Sequence, residues 1–82
     1  MININVKLFA SAKDMAGTDS LELSLPDTSR ASAVIRVLIE RNIEFEKWKK
    51  YIRLAVNQEY TVGDPVLHDN DEVAVIPPVS GG

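Results

Sequence analysis

Apolar residues fall at every second position at the start of the chain. Ile2, Ile4, Val6 and Leu8 alternate with Asn3, Asn5 and Lys7, which predicts a strand with one buried and one wet face. The alternation breaks over residues 9–18, where Gly17 is the natural site for a positive φ in a connecting turn. It resumes at Leu21, Leu23 and Leu25 and stops at Pro26. Two such strands in succession predict a hairpin, although with a longer loop than usual. Pro26-Asp27-Thr28-Ser29 then reads as a helix start, because short oxygen-bearing side chains accept hydrogen bonds from first-turn amides. The period changes to that of a helix over Arg30 to Arg41, with Ala31, Val34, Ile35 and Leu38 on one stripe and Asn42 as a left-handed cap.

Residues 43–51 show no long period. Phe45 and Trp48, three apart, suit a short helical turn that tucks two aromatics under the body. Ile52, Leu54 and Val56 restore a strand, Asn57-Gln58-Glu59 predicts a tight turn before Tyr60-Thr61-Val62, and Gly63-Asp64-Pro65 interrupts again. In the last turn, His68 to Asp71, Asn70 is the residue most tolerant of the left-handed region. The closing strand, Glu72 to Ile76, is apolar on both faces, so it is expected either at the centre of the sheet or with a partner on its far side. This order describes an α+β domain over residues 1–76, with one main helix across one face of a mixed sheet of four to five strands. That is the β-grasp, or ubiquitin-like, arrangement. Residues 77–82, Pro-Pro-Val-Ser-Gly-Gly, are expected to form an extended C-terminal tail.

Composition narrows the chemistry. Eighty-two residues make one small domain, which hides roughly 60 to 65% of the surface its unfolded chain exposes. A 45% apolar and 26% charged chain is that of an ordinary globular protein. The N-terminus does not read as a signal peptide, and no apolar run approaches the roughly 20 residues that span a bilayer, so no membrane partner is expected. A cytosolic location is compatible with the absence of cysteine, which also removes disulfides, thiolate metal sites and a cysteine nucleophile. The net charge of -3 argues against nucleic acid as a general partner. Lysines around Trp48 and Tyr51 form a basic-aromatic cluster in miniature, but interleaved glutamates make a solvated face the simpler reading.

Ordinary catalytic signatures are missing. His68 is the only histidine and stands in a turn; Asp69, Asp71 and Glu72 lack the spacing and central glycine of a calcium loop; the four glycines make no phosphate-cradling motif. No metal site and no bound cofactor are expected. The reactive candidate left is the carboxylate of Gly82, against the plain alternative of a frayed terminus. A carboxylate is a poor electrophile until it is converted to an acyl-adenylate. Two residues without Cβ, Gly81 and Gly82, let such an arm thread a narrow channel. If a sulfide equivalent displaces the adenylate, the product is a thiocarboxylate, whose sulfur is a good nucleophile much as a thiolate is.

Three stretches carry a resemblance over nearly the whole chain: Val6-Lys7-Leu8-Phe9-Ala10 followed by Lys13 to Thr18; Leu54-Ala55-Val56-Asn57-Gln58; and Leu67 through Asp71-Glu72-Val73-Ala74-Val75-Ile76-Pro77-Pro78-Val79-Ser80-Gly81-Gly82. The chain resembles the ubiquitin-like sulfur carriers, and the last stretch is similar to their molybdopterin-synthase branch, the small subunits of that synthase. The resemblance implies that an ATP-dependent activating enzyme adenylates Gly82 and that a sulfur-transfer protein makes the thiocarboxylate. It implies that the tail enters the large subunit of a heterotetrameric synthase and gives sulfur to a cyclic pyranopterin precursor, building the dithiolene of molybdopterin. The chain itself would then be a non-catalytic subunit, with Gly81 and Gly82 as the reactive end and Pro77, Pro78, Val79 and Ser80 as the threaded arm. By position, Phe9, Tyr60 and Ile76 match the family's apolar docking surface, and Lys13 a candidate ionic contact. Asn70 stands where the family usually has glycine, and residues 44–51 follow no family pattern. Two other readings stay open: a sulfur carrier or protein modifier for another pathway (thiamine, tRNA or amino-acid synthesis), and a plain interaction module with an inert tail.

Overall fold

The computed structural model describes residues 1–77. Five strands, β1 (Ile2–Leu8), β2 (Ser20–Leu25), β3 (Arg53–Val56), β4 (Glu59–Tyr60) and β5 (Glu72–Ile76), form one sheet in the order β2-β1-β5-β3-β4. β1 and β5 run parallel and the other neighbours antiparallel. The helices are α1 (Ala10–Ala16), α2 (Ser32–Arg41) and α3 (Phe45–Trp48). This is the β-grasp fold expected from the alternation. The period of β1 is the period of its burial: Ile2, Ile4, Val6 and Leu8 are buried, and every residue between them is exposed.

The core lies between one face of the sheet and α2. Val73 and Val75 from β5, Leu23 and Leu25 from β2 and Leu54 from β3 join the β1 residues there. Ala31, Ala33, Val34 and Leu38 cover them from the helix side, with Phe45 and Leu67 closing the ends. A strand buried on one face and paired along both edges has no cheap alternative register, since a slip of one residue would turn Val73 and Val75 outward. Among the described residues, no buried side-chain polar atom lacks a hydrogen-bond partner. No helix there is long and apolar enough to cross a membrane.

The structure corrects several local expectations. The connection after β1 holds a helix, α1, because Ala12, Met15 and Ala16 sit at helical spacing and pack on the core. Gly17 ends it with φ 76 and an N–H donated to the Lys13 carbonyl, which is the positive φ expected of it. Asn42 is extended (φ -150) and not left-handed. It stops α2 by other means: its amide side chain donates to the Met15 carbonyl at 3.0 Å and its Oδ1 accepts from the Glu44 N–H at 3.0 Å, which ties α1 to α2. The turn after β3 is Asn57-Gln58, both at positive φ, in a two-residue hairpin. β4 therefore begins at Glu59, and Val62 lies outside the sheet. Asn70 does take the left-handed conformation, with φ 69.

The start of α2 differs most. Pro26 to Ser29 form a turn, in which the Ser29 hydroxyl donates to the Pro26 carbonyl at 2.6 Å, and the helix begins at Ser32. Its cap comes from Asp64, 32 positions away: the Ser32 N–H donates to Oδ1 at 2.8 Å and the Ser32 hydroxyl to Oδ2 at 2.6 Å. Arg30 donates to the Asp64 carbonyl, and the Ala31 N–H and Leu67 N–H complete a short ladder to Pro65 and Ser29. The Ser32 hydroxyl first, then the Ser32 amide, hold the Asp64 carboxyl below its ordinary value of 3.8; Arg30 and Arg36 add to this, and slight desolvation opposes it.

Asp64→Ala is expected to lower unfolding free energy by about 1 kcal/mol, the usual worth of a helix cap, measured by urea denaturation. Because the folded-state value is depressed, this stabilisation is complete above the ordinary aspartate value and is lost as pH falls through the depressed one. The gap between the wild-type and Asp64→Ala midpoints should therefore narrow in acid. A gap that did not narrow would mean that the charge of the carboxylate takes no part in the cap.

Candidate functional site

β5 sits at the centre of the sheet, as its two apolar faces required. On the helix side Val73 and Val75 are fully buried; on the other, Ala74 and Ile76 are half-buried and no helix covers them. Pairing fixes their neighbours. Ala74 stands between Lys7 of β1 and Ala55 of β3, and Ala55 pairs in turn with Tyr60 of β4. Ile76 pairs with Arg53. Leu8 pairs with Val75, so Phe9, still extended at φ -121 and ψ 153, continues the parallel register beside Ile76. The chain leaves this line at Ala10, whose φ of 49 lies in the left-handed region that costs about 1 kcal/mol or more for a residue with a Cβ.

The result is an apolar surface on the open face, at the end of the sheet where β5 finishes. Phe9 is 50% exposed and Tyr60 61%, whereas the similarly large Phe45 is buried. The structure thus places Phe9, Tyr60 and Ile76 on one face, Phe9 beside Ile76 and Tyr60 two strands away on β4. Lys13, from the exposed side of α1, lines with Lys7 and Phe9 a shallow groove of about 420 Å³ beside them. Pro77, expected as the first residue of the arm, is buried against the body, so the body extends one residue past 76. Pro78, Val79, Ser80, Gly81 and Gly82 lie outside the described residues.

One residue of this surface escaped the sequence reading. Arg53 projects from the open face, and its guanidinium carbon lies 5.7 Å from the centroid of the Tyr60 ring, a cation-π arrangement. The signal was present, since an alternation that sends Leu54 inward sends Arg53 outward. A second cleft, of about 600 Å³, runs between the start of α2 and β3–β4 over Ile35, Ile52 and Leu54. No set of nucleophile, base and orienting group converges in it. The rest of the chain offers little chemistry: His68 is exposed in its turn, and two of the lysines near Trp48 pair with Glu44 and Glu46 one helical turn away. Among the described residues, no group of three or more His, Asp or Glu is placed to hold a metal ion.

The chain is similar to known proteins in sequence and in fold. The model of the ThiS family matches residues 6–82. The molybdopterin synthase sulfur carrier subunit of Dictyostelium discoideum is 41% identical over 80 residues, covering 94% of this chain and 93% of that protein. Among solved structures, the molybdopterin converting factor, subunit 1, of Pyrococcus furiosus superposes with a TM-score of 0.86 at 31% identity, over 96% of this chain and 100% of the other. A complex of subunits 1 and 2 of the molybdopterin-converting factor of Helicobacter pylori contains a chain of the same fold (TM-score 0.66, 18% identity, 99% and 100% covered).

If Phe9 belongs to a docking surface and Phe45 to the core, truncation separates them. Phe9→Ala is expected to change unfolding free energy by less than about 1 kcal/mol, and Phe45→Ala to remove about 3 to 5 kcal/mol. Urea denaturation followed by circular dichroism measures both, and equal losses would place Phe9 in the core.

Proposed function

The chain belongs to the ThiS family, and from that premise we propose that it is the sulfur carrier subunit of a molybdopterin synthase, the function named for its relatives. The observation that carries the reading is the continuity between the apolar open face and the central strand, which hands the chain directly to the segment ending in Gly81-Gly82. A partner that covers Phe9, Tyr60 and Ile76 thereby also receives the tail.

The chemistry follows from the terminal carboxylate. A partner adenylating enzyme supplies ATP; a Gly82 carboxylate oxygen attacks the α-phosphorus and pyrophosphate leaves. A sulfur-transfer protein then provides a sulfide equivalent that displaces AMP from the acyl carbon, giving the thiocarboxylate. In the large synthase subunit that sulfur attacks a carbon of the cyclic pyranopterin precursor and displaces an oxygen substituent; water then cleaves the acyl-sulfur bond, leaving the sulfur on the precursor and returning the carboxylate. Two such transfers build the dithiolene. No cofactor needs to reside on this chain, because ATP and precursor are held by its partners, and catalytic side chains belong to them. A pairing with the large subunit is supported by the complex formed by the Helicobacter pylori relative. The proposed location is the cytosol.

The chain incubated with ATP, an adenylating enzyme and a sulfur source should gain, by intact mass, the difference between sulfur and oxygen. The product should restore dithiolene formation with a cognate large subunit. No mass change would refute the carrier mechanism in any pathway, and a thiocarboxylate that the large subunit does not use would leave only a carrier for another pathway. Deletion of Gly82 is expected to abolish transfer while leaving the circular dichroism spectrum and the urea midpoint unchanged.

A further inference from the structure

The docking face is more than apolar. Lys7 and Lys13 flank Phe9 on one side and Arg53 adjoins Ile76 on the other, so cations border the patch in a chain whose net charge is -3. Among the described residues, the ion pairs join the N-terminus to Asp27, Lys47 to Glu44 and Lys49 to Glu46, with His68 near Asp71. None involves Arg53. Its guanidinium rests instead on the Tyr60 ring. That contact limits the rotamers of a long side chain whose planar N–H fork matches a carboxylate.

We infer that Arg53 is the specificity-determining ionic contact of the docking face and reads a carboxylate on the large synthase subunit, which presents an apolar patch with an acidic rim. The inference rests on the sulfur-carrier reading and names the partner's surface chemistry. The argument is one of desolvation. Arg53 and Ile76 are register partners on the same face, so their Cα atoms stand about 5 Å apart. A surface that closes over Ile76 and Tyr60 strips water from the guanidinium between them. A buried cation without an anion is strongly unfavourable, whereas one that meets a carboxylate in a bidentate pair is not. A partner lacking that carboxylate is rejected even when its apolar patch fits, which is selection by penalty. The same reasoning disfavours a second copy of this chain on this face, because two-fold pairing would bring like cations together.

The test is binding of the full chain to the cognate large subunit across a range of salt concentrations, by stopped flow for association and calorimetry for Kd. Arg53→Glu is expected to weaken Kd by at least about tenfold and to flatten or reverse the salt dependence. Arg53→Lys, which keeps the charge but not the fork, should lose a few-fold. Arg53→Gln separates missing charge from repulsion, and urea midpoints confirm that each variant folds. Unchanged Kd and salt dependence in Arg53→Glu would overturn the inference. So would a loss that disappears when residues 78–82 are removed from both chains, since Arg53 would then serve this chain's own terminal carboxylate. If the wild-type chain does not bind the large subunit at all, the sulfur-carrier reading fails first and this one with it; wild-type binding with an indifferent Arg53 sinks only this one.

Discussion

The structure depends on the parallel pairing of β1 with β5 at the middle of the sheet. Strands from near the two ends of the chain meet there, and each supplies side chains to the same core: Val6 beside Val73, Leu8 beside Val75. The pairing decides the outer face as well. Because side chains alternate, burying Val75 sends Ile76 outward, beside Phe9 from the continuation of β1 and across from Arg53. The register that builds the core also decides which residues share the open face.

Polar groups that close this fold act over long sequence distances. Asp64 caps a helix 32 residues upstream. At the opposite end of the sheet, the Asn57 side chain donates to Asp71 and accepts from the Glu72 N–H, the Asp71 carboxylate also accepts from the His68 N–H, and Asp69 accepts from the Asn3 N–H. Each short side chain satisfies a backbone donor or fixes a turn that the sheet ladder leaves open. A domain this small hides a modest fraction of its surface, and such closures hold the turns at the sheet's ends while the apolar face stays available to a partner.

Function in such a chain is presentation. The body offers no convergent nucleophile, base or metal ligands; what it offers is an apolar surface bordered by cations and a tail that starts beside it.

The sequence by itself determined the elements whose signal is local. β1, β2 and β3 follow from alternation, β5 from its continuous apolar run, the body of α2 from its 3.6-residue stripe, and the left-handed Asn70 from the conformational tolerance of its side chain. The central place of β5 was legible too, because only a strand covered or flanked on both sides is apolar on both faces. Phe9, Tyr60 and Ile76 came from family position, and strand pairing places them on one face of the sheet. What only the tertiary structure decided was what a residue touches across the chain. Nothing near Ser32 announces that its cap is Asp64, nothing near Asn42 that its side chain reaches Met15, and the burial of Pro77 depends on packing that no local pattern encodes. Arg53 shows the boundary. Alternation assigns its face, but that it lies on Tyr60 is set by the β3–β4 hairpin, and that it lies beside Ile76 by hydrogen bonds to a strand more than twenty residues away.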